Sequence, residues 1–239
     1  MNNREFRESI MSSFNRLREL GLTDWDRYPN KVSLETNQKF KNIALNRASK
    51  YEDIYRKGLS LSYYNFMLDD YSYFQFYLDS NHGNIHQIRY AFYPNPYEIP
   101  QAFESFSQEM ISEGEAFGLG ELYIQSLDEA EICHLYPPIR YDFDPENHTA
   151  TRHPAGHFHI GAYQGSRIPV RRIFTPLIFS LFIIKTFYPE KWSRYEDEIP
   201  KADGFLNEFD RILSDSKRQC ALLTNDLFTE SEGYLPYID

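Results

Sequence analysis

Seven residues near the middle of the chain, His153-Pro154-Ala155-Gly156-His157-Phe158-His159, bring together side chains that do chemistry. On a strand, residues i and i+2 point to the same side. His157 and His159 are therefore expected side by side, with Phe158 and Ile160 turned into the core. Pro154 and Gly156 bend the chain just before them, so His153 can reach the same patch. Imidazoles gathered in this way can bind a divalent metal, act as general base and acid, or hold a phosphate. The bland alternative is an exposed strand face that is merely His-rich.

Arg140-Tyr141-Asp142 obeys the same parity, which places Arg140 and Asp142 together on the solvent face of their own strand. Paired with the His strand as a hairpin, it would join Arg140, Asp142, His157 and His159 into one patch. Asp142 could orient an imidazole or share a metal with His157 and His159. Arg140 could grip a phosphate with two bonds; otherwise the two form an ordinary cross-strand ion pair. The run Arg167-Ile168-Pro169-Val170-Arg171-Arg172 follows, leading into a helix N-terminus, where basic side chains suit an anion. Arg167 is the preferred phosphate ligand and Arg171 a second candidate; the bland reading of Arg171 and Arg172 is a solvated loop that pairs with acids elsewhere.

The elements around these residues follow from periodicity. Phe6, Ile10, Phe14 and Leu17 predict an amphipathic helix over 5–20, ended by Gly21. A second helix is expected over 38–57, stopped by Gly58. The period then falls to two over 61–68, 71–78 and 87–93, an antiparallel meander with one apolar face and one polar or phenolic face. A helix is expected over 100–117 and another over 121–132. Strands follow at 139–144 and 157–162, then a nearly all-apolar helix from Pro176 to Tyr188 capped by Thr175. A last helix is expected over 203–223. The fold class is thus α+β: an antiparallel sheet of about five strands with N-terminal, inserted and C-terminal helices. It reads as a single domain over 1–239: helices to residue 58, the sheet over 59–165 with its insert near 100–135, and C-terminal helices with an acidic tail over 166–239. Tyrosines at strand spacing are expected to pack the sheet more than to stack bases.

Charge sharpens the picture. The 239 residues carry 35 Asp and Glu against 25 Lys and Arg, a formal net of −10. Between Thr151 and Pro189 there is no acid and five Lys or Arg, so this segment is +5 and the rest is −15. The balance excludes a broad nucleic-acid-coating surface and leaves room for one small phosphate site. Two cysteines, without a CxxC, disfavour a disulfide scaffold and a thiolate zinc site. The apolar run 173–188 contains Lys185 and falls short of a membrane span; with no signal-like segment, a cytoplasmic location away from membranes is expected. There is no P-loop, GxSxG or HExxH, which disfavours P-loop ATPases, α/β-hydrolases and zincins.

The ordered set Leu68-Asp69-Asp70-Tyr71-Ser72…Gln75-Phe76, Arg89-Tyr90-Ala91-Phe92-Tyr93-Pro94, Arg140-Tyr141-Asp142, His153-Pro154…His157-Phe158-His159-Ile160-Gly161, Arg167-Ile168-Pro169, Thr175-Pro176 and Phe187-Tyr188-Pro189 resembles an uncharacterised bacterial family, domain-of-unknown-function family twenty-two-ninety. The likeness spans roughly 63–192. The order of motifs is also distantly similar to TumE-type toxins of toxin–antitoxin systems, compact antiparallel sheets thought to attack RNA or bind nucleic acid. That resemblance implicates Asp70, Ser72, Arg140, Asp142, His153, His157 and His159. Tyr71 departs from the usual Gly, and the segment 100–135 is additional. The expected function is a nuclease-like, RNA- or DNA-processing protein of a toxin–antitoxin or phage-defence system, with a divalent metal as candidate cofactor and a protein partner encoded nearby. The alternatives are a non-catalytic partner subunit and a nucleotide hydrolase or transferase.

Overall fold

A computed structural model describes all residues except 28–32, 82–83, 100–102, 104, 108–118, 163–164, 197–203 and 206. Helix α1 (Asn3–Glu19) begins on Asn2, whose side chain accepts from the Arg4 and Glu5 amides. It ends on Gly21 at φ +64°, where the Leu22 amide donates to the Leu17 carbonyl and the Gly21 amide to that of Arg18. Such a left-handed terminus favours glycine. The expected 38–57 helix is two helices, α2 (Gln38–Ala44) and α3 (Tyr51–Ser60), separated by a turn that lets the chain double back.

Gly58 does not stop α3 but lies within it. A Cβ there would sit 2.1 Å from the Tyr73 hydroxyl, so the glycine makes room for a sheet tyrosine. The helix ends at Ser60, and Ser62 just beyond it turns the chain at φ +46°.

Among the described residues, six strands form one antiparallel sheet in simple chain order: β1 (Phe66–Met67), β2 (Tyr73–Asn81), β3 (Asn84–Tyr93), β4 (Ile139–Phe143), β5 (Gly156–Ile160) and β6 (Ile168–Pro169). Of the expected 61–68 strand only Phe66 and Met67 pair, and β6 is an addition inside the basic run. Helix α4 (Leu119–Ser126) is shorter than the expected 121–132 helix at its C-terminal end. Of the helix expected over 100–117, Phe103 and residues 105–107 are described and helical; the rest lies outside the described residues.

The apolar face of the sheet meets α5 (Pro176–Phe187), which Thr175 caps as expected. Phe179 in its first turn touches the rings of Phe74, Phe76, Tyr90 and Phe158. Helix α1 lies against α5, where the Leu177 amide donates to Ser9 Oγ at 3.0 Å. Short helices α6 (Pro189–Ser193) and α8 (Glu230–Gly233) and the longer α7 (Glu208–Gln219) complete this side.

The expected polar or phenolic face is largely a second core. Tyr55, Leu59, Tyr71, Tyr73, Tyr97, Phe103, Tyr123 and Leu127 are buried together beneath α3 and α4. The Tyr71 and Tyr123 rings stack with centroids 3.7 Å apart. Two of the phenolic hydroxyls buried here end on backbone carbonyls, Tyr55 on that of Tyr71 and Tyr73 on that of Tyr55, which offsets the cost of burying them. No described helix is long and apolar enough to cross a membrane.

Candidate functional site

The site grows from strand register. Asp142 stands directly opposite His157, Arg140 opposite His159, and, on the other neighbour, Arg89 of β3 opposite Asp142. The expected hairpin of the Arg-Tyr-Asp and His strands therefore forms. Gly156 lets it sit close to the next segment: its carbonyl accepts from the Val170 amide, and a Cβ on it would come within 2.8 Å of the Val170 oxygen.

The patch does not face solvent as expected. Asp142 is 6 % exposed, His157 1 % and His159 3 %. Helices α2 and α3 pack over this part of the sheet, and Ala44, Tyr51 and Ile54 line a hollow with Arg140 and His159. Ile160, expected in the core, is instead exposed, because the strand ends there and Gly161 turns the chain at φ +82°.

Asp142 is the hub. Arg140 Nε donates to both its oxygens at 3.1 and 3.0 Å, and Arg89 Nε donates to Oδ1 at 3.2 Å. Burial by itself would raise the Asp142 pKa. The charges of Arg140 and Arg89, with His159 beside the carboxylate, override it and hold the group well below the usual carboxylate range.

His157 Nδ1 lies 2.7 Å from the Pro154 carbonyl, which fixes it as the donor and leaves the Nε2 lone pair exposed to His159. The two Nε2 atoms are 3.0 Å apart. From Asp142 Oδ2, His159 Nε2 is 3.4 Å and His157 Nε2 4.0 Å distant. Burial pushes the His157 pKa down to about 4 against the opposing pull of Asp142. Burial likewise lowers His159, which Asp142 partly restores. Both rings are thus neutral near pH 7. One atom from each of Asp142, His157 and His159 lies within 4.8 Å of the others, a set able to hold a metal ion. His153 joins the group edge-on, its ring centroid 4.9 Å from that of His157.

Arg167 faces the same region. It lines a recess of about 990 Å³ with Arg47 and Gly165, and its Nε is buried without a hydrogen-bond partner among the described residues. A neighbouring cleft of about 890 Å³ runs under α2 between Lys41, Tyr63, Tyr77, Arg89, Tyr93 and Arg140. Arg171 is not brought into this cluster: its guanidinium lies over the Phe228 ring, 5.9 Å from the centroid. Arg172 ties down the C-terminal segment by its bond to Asp239 and to the Lys217 and Cys220 carbonyls.

Asp70 and Ser72, implicated by resemblance, occupy a separate turn. The Ser72 amide and the Tyr188 hydroxyl both donate to the Asp70 carboxylate, at 2.9 and 2.7 Å. This joins the start of β2 to the end of α5, an architectural role. The residue that sequence reasoning missed is Arg89. Its parity in the 87–93 strand was legible, but which strand lies beside it was not.

Residues 22–224 match the model of a family described as "Uncharacterized conserved protein (DUF2290)", a wider span than the 63–192 likeness. No curated protein and no solved structure matches the chain. A match over most of the length, with the Arg-Tyr-Asp and His-x-His strands inside it, places the chain in that DUF2290 family.

Proposed function

We propose that this protein processes nucleic acid, holding a single strand in the cleft beneath α2 and acting on a phosphodiester beside His159. The observation that carries this reading is the lining of the cleft. Half-buried Tyr63, Tyr77 and Tyr93 share its walls with Arg89, Arg140 and Lys41 in a chain whose net charge is −10. Aromatic faces beside a cationic track are what a single strand requires, stacking for bases and charge for phosphates.

Arg89 and Arg140 bind Asp142 through Nε alone. The outer nitrogens of each guanidinium are oriented by that anchor and suit a phosphate fork. Arg140 and Arg167 would stabilise charge building on the phosphorane oxygens. His157, His159 and Asp142 would activate the attacking oxygen, with His153 supporting His157 from its outer edge. The likeness to TumE-type toxins supports a setting in toxin–antitoxin or phage-defence systems.

One observation favours a second reading, a non-catalytic subunit of a defence complex. Tyr234, Leu235 and Tyr237 are exposed on a segment whose charged residues are acidic, a surface suited to a basic protein partner.

The test is incubation of the full chain with labelled single-stranded RNA and DNA. The expected result is saturable binding and cleavage of at least one polymer, with cleavage lost in His159→Ala and binding weakened in Arg167→Ala. Absence of both binding and cleavage overturns the reading. Activity of a purified complex that survives His157→Ala with His159→Ala favours the subunit reading instead.

A further inference from the structure

We infer that Asp142, His157 and His159 form a binding site for one divalent first-row transition metal ion of the zinc class. The three converging atoms make a triangle with edges of 3.0, 3.4 and 4.0 Å. An ion about 2.1 Å from each of three ligands sets them about 3.0 to 3.4 Å apart, between octahedral and tetrahedral angles. Two edges meet that range, and the third is longer by roughly half an ångström on the same reckoning.

The lone pairs of His157 and Asp142 are arranged to match. His157 spends Nδ1–H on the Pro154 carbonyl, the kind of outer support that turns an imidazole Nε2 toward a metal. A carboxylate offers about four lone-pair positions. On Asp142, Arg89 and Arg140 take two on Oδ1 and one on Oδ2. The position left is on Oδ2, the oxygen nearest both imidazoles.

A proton relay fits the geometry less well. Both Nε2 atoms face each other and His157 Nδ1 is committed, so only His159 Nδ1, which is buried and without a partner among the described residues, could serve a substrate. Two imidazoles with one carboxylate select zinc, iron or manganese over magnesium or calcium. Three protein ligands leave a coordination position open. The hollow lined by His159 and Arg140 gives it room for water or a phosphate oxygen. The ion would serve the nucleic-acid reading by lowering the pKa of bound water, but its binding rests on the triangle alone.

Chelator-treated full chain, titrated with Zn²⁺ in a calorimeter and with Co²⁺ by visible absorption, tests the site. The expected result is one ion per chain, Co²⁺ d–d bands of coordination number below six, and a Tm raised by Zn²⁺. His157→Gln and His159→Gln should weaken binding by at least about a hundredfold, the upper end of the loss caused by removing even a ligand's supporting partner. His86→Gln and His134→Gln, exposed histidines paired with Glu146 and Glu52, should leave it unchanged. Absence of saturable one-to-one binding to the wild-type chain overturns the inference, whether or not a variant folds. Unaltered affinity in both His157→Gln and His159→Gln overturns it equally. Ion binding without action on RNA or DNA would count against the proposed function alone.

Discussion

Arg89 and Asp142 face each other directly across β3 and β4, with the guanidinium Nε 3.2 Å from the carboxylate Oδ1. The two ends of this pair live in different solvents: the Asp142 side chain is 8 % exposed and that of Arg89 43 %. Asp142→Ala strands the mostly buried Arg140 without its counter-ion and should cost about 3–5 kcal/mol. Arg89→Ala leaves Asp142 still bonded to Arg140 and removes a group that water can reach, so about 1 kcal/mol or less is expected. Urea unfolding in the presence of chelator measures both. A larger loss from Arg89→Ala would contradict the assignment of Asp142 as the hub.

In chelator, stability should fall with acidity over a defined window. The His157 pKa is about 4 in the fold, lowered by burial, and about 6.5 in an unfolded chain. Between these values the unfolded chain binds a proton that the folded one refuses, so stability rises with pH. The contribution is complete above about pH 6.5 and is lost as pH falls toward 4, by up to about 3 kcal/mol. His159, also lowered, acts in the same direction. His157→Gln should flatten this slope in a series of thermal melts, and an unchanged slope would refute its origin in His157.

Gly58→Ala pits helix propensity against packing. Alanine should gain about 1 kcal/mol in a helix interior. Here its Cβ meets the Tyr73 hydroxyl at 2.1 Å and the ring Cζ at 2.8 Å. Tyr73 is fully buried between Tyr55 and Tyr93 and has little space to yield. Net destabilisation of about 1–3 kcal/mol is expected, partly rescued by Tyr73→Phe, since the ring contact remains. Stabilisation by Gly58→Ala would show that the tyrosine moves.

The two cysteines should react differently. Cys220 is buried and burial pushes its thiol pKa up, whereas Cys133 is half-exposed. The thiolate is the reactive form. One rapid equivalent of an aromatic disulfide reagent should be consumed by the native chain and two after denaturation. Cys133→Ser should abolish the rapid phase.

Salt should report the cationic cleft. Single-strand affinity falls with log salt at about −0.7 per phosphate neutralised. Arg167→Ala should reduce the slope by about that amount while leaving Tm nearly unchanged, because its Nε has no partner among the described residues. Equal slopes would place Arg167 outside the contact.

What the sequence could and could not reveal has physical causes. Parity along Ile139–Phe143 and Gly156–Ile160 correctly put Arg140, Asp142, His157 and His159 on one side, because a strand's period of two leaves no choice. The burial of that side was hidden, because its cover comes from Ala44, Tyr51 and Ile54 on two short helices far from β4 and β5 in the chain. The hub's third partner, Arg89, was hidden because pairing joins residues 53 positions apart in the chain. The tyrosines of β2 alternate as in a half-solvated strand, but phenols can be buried when carbonyls accept them, so their pattern did not distinguish surface from second core. Thr175-Pro176, by contrast, marked its helix start correctly, since capping is decided within four residues.

The strict chain order of the six strands bears on how the protein is made. Each strand finds its neighbour already emerged from the ribosome, so the sheet can zip from β1 to β6 as synthesis proceeds. Its aromatic face must wait: Phe179, which touches four rings of that face, follows only after β6 is complete. A nascent chain that has emerged to about residue 170 presents the sheet with Phe74, Phe76, Tyr90 and Phe158 lacking the α5 cover. Such a surface binds chaperones or sticks to its copies, so the interval between β6 and α5 is the point in synthesis at which this protein most needs protection.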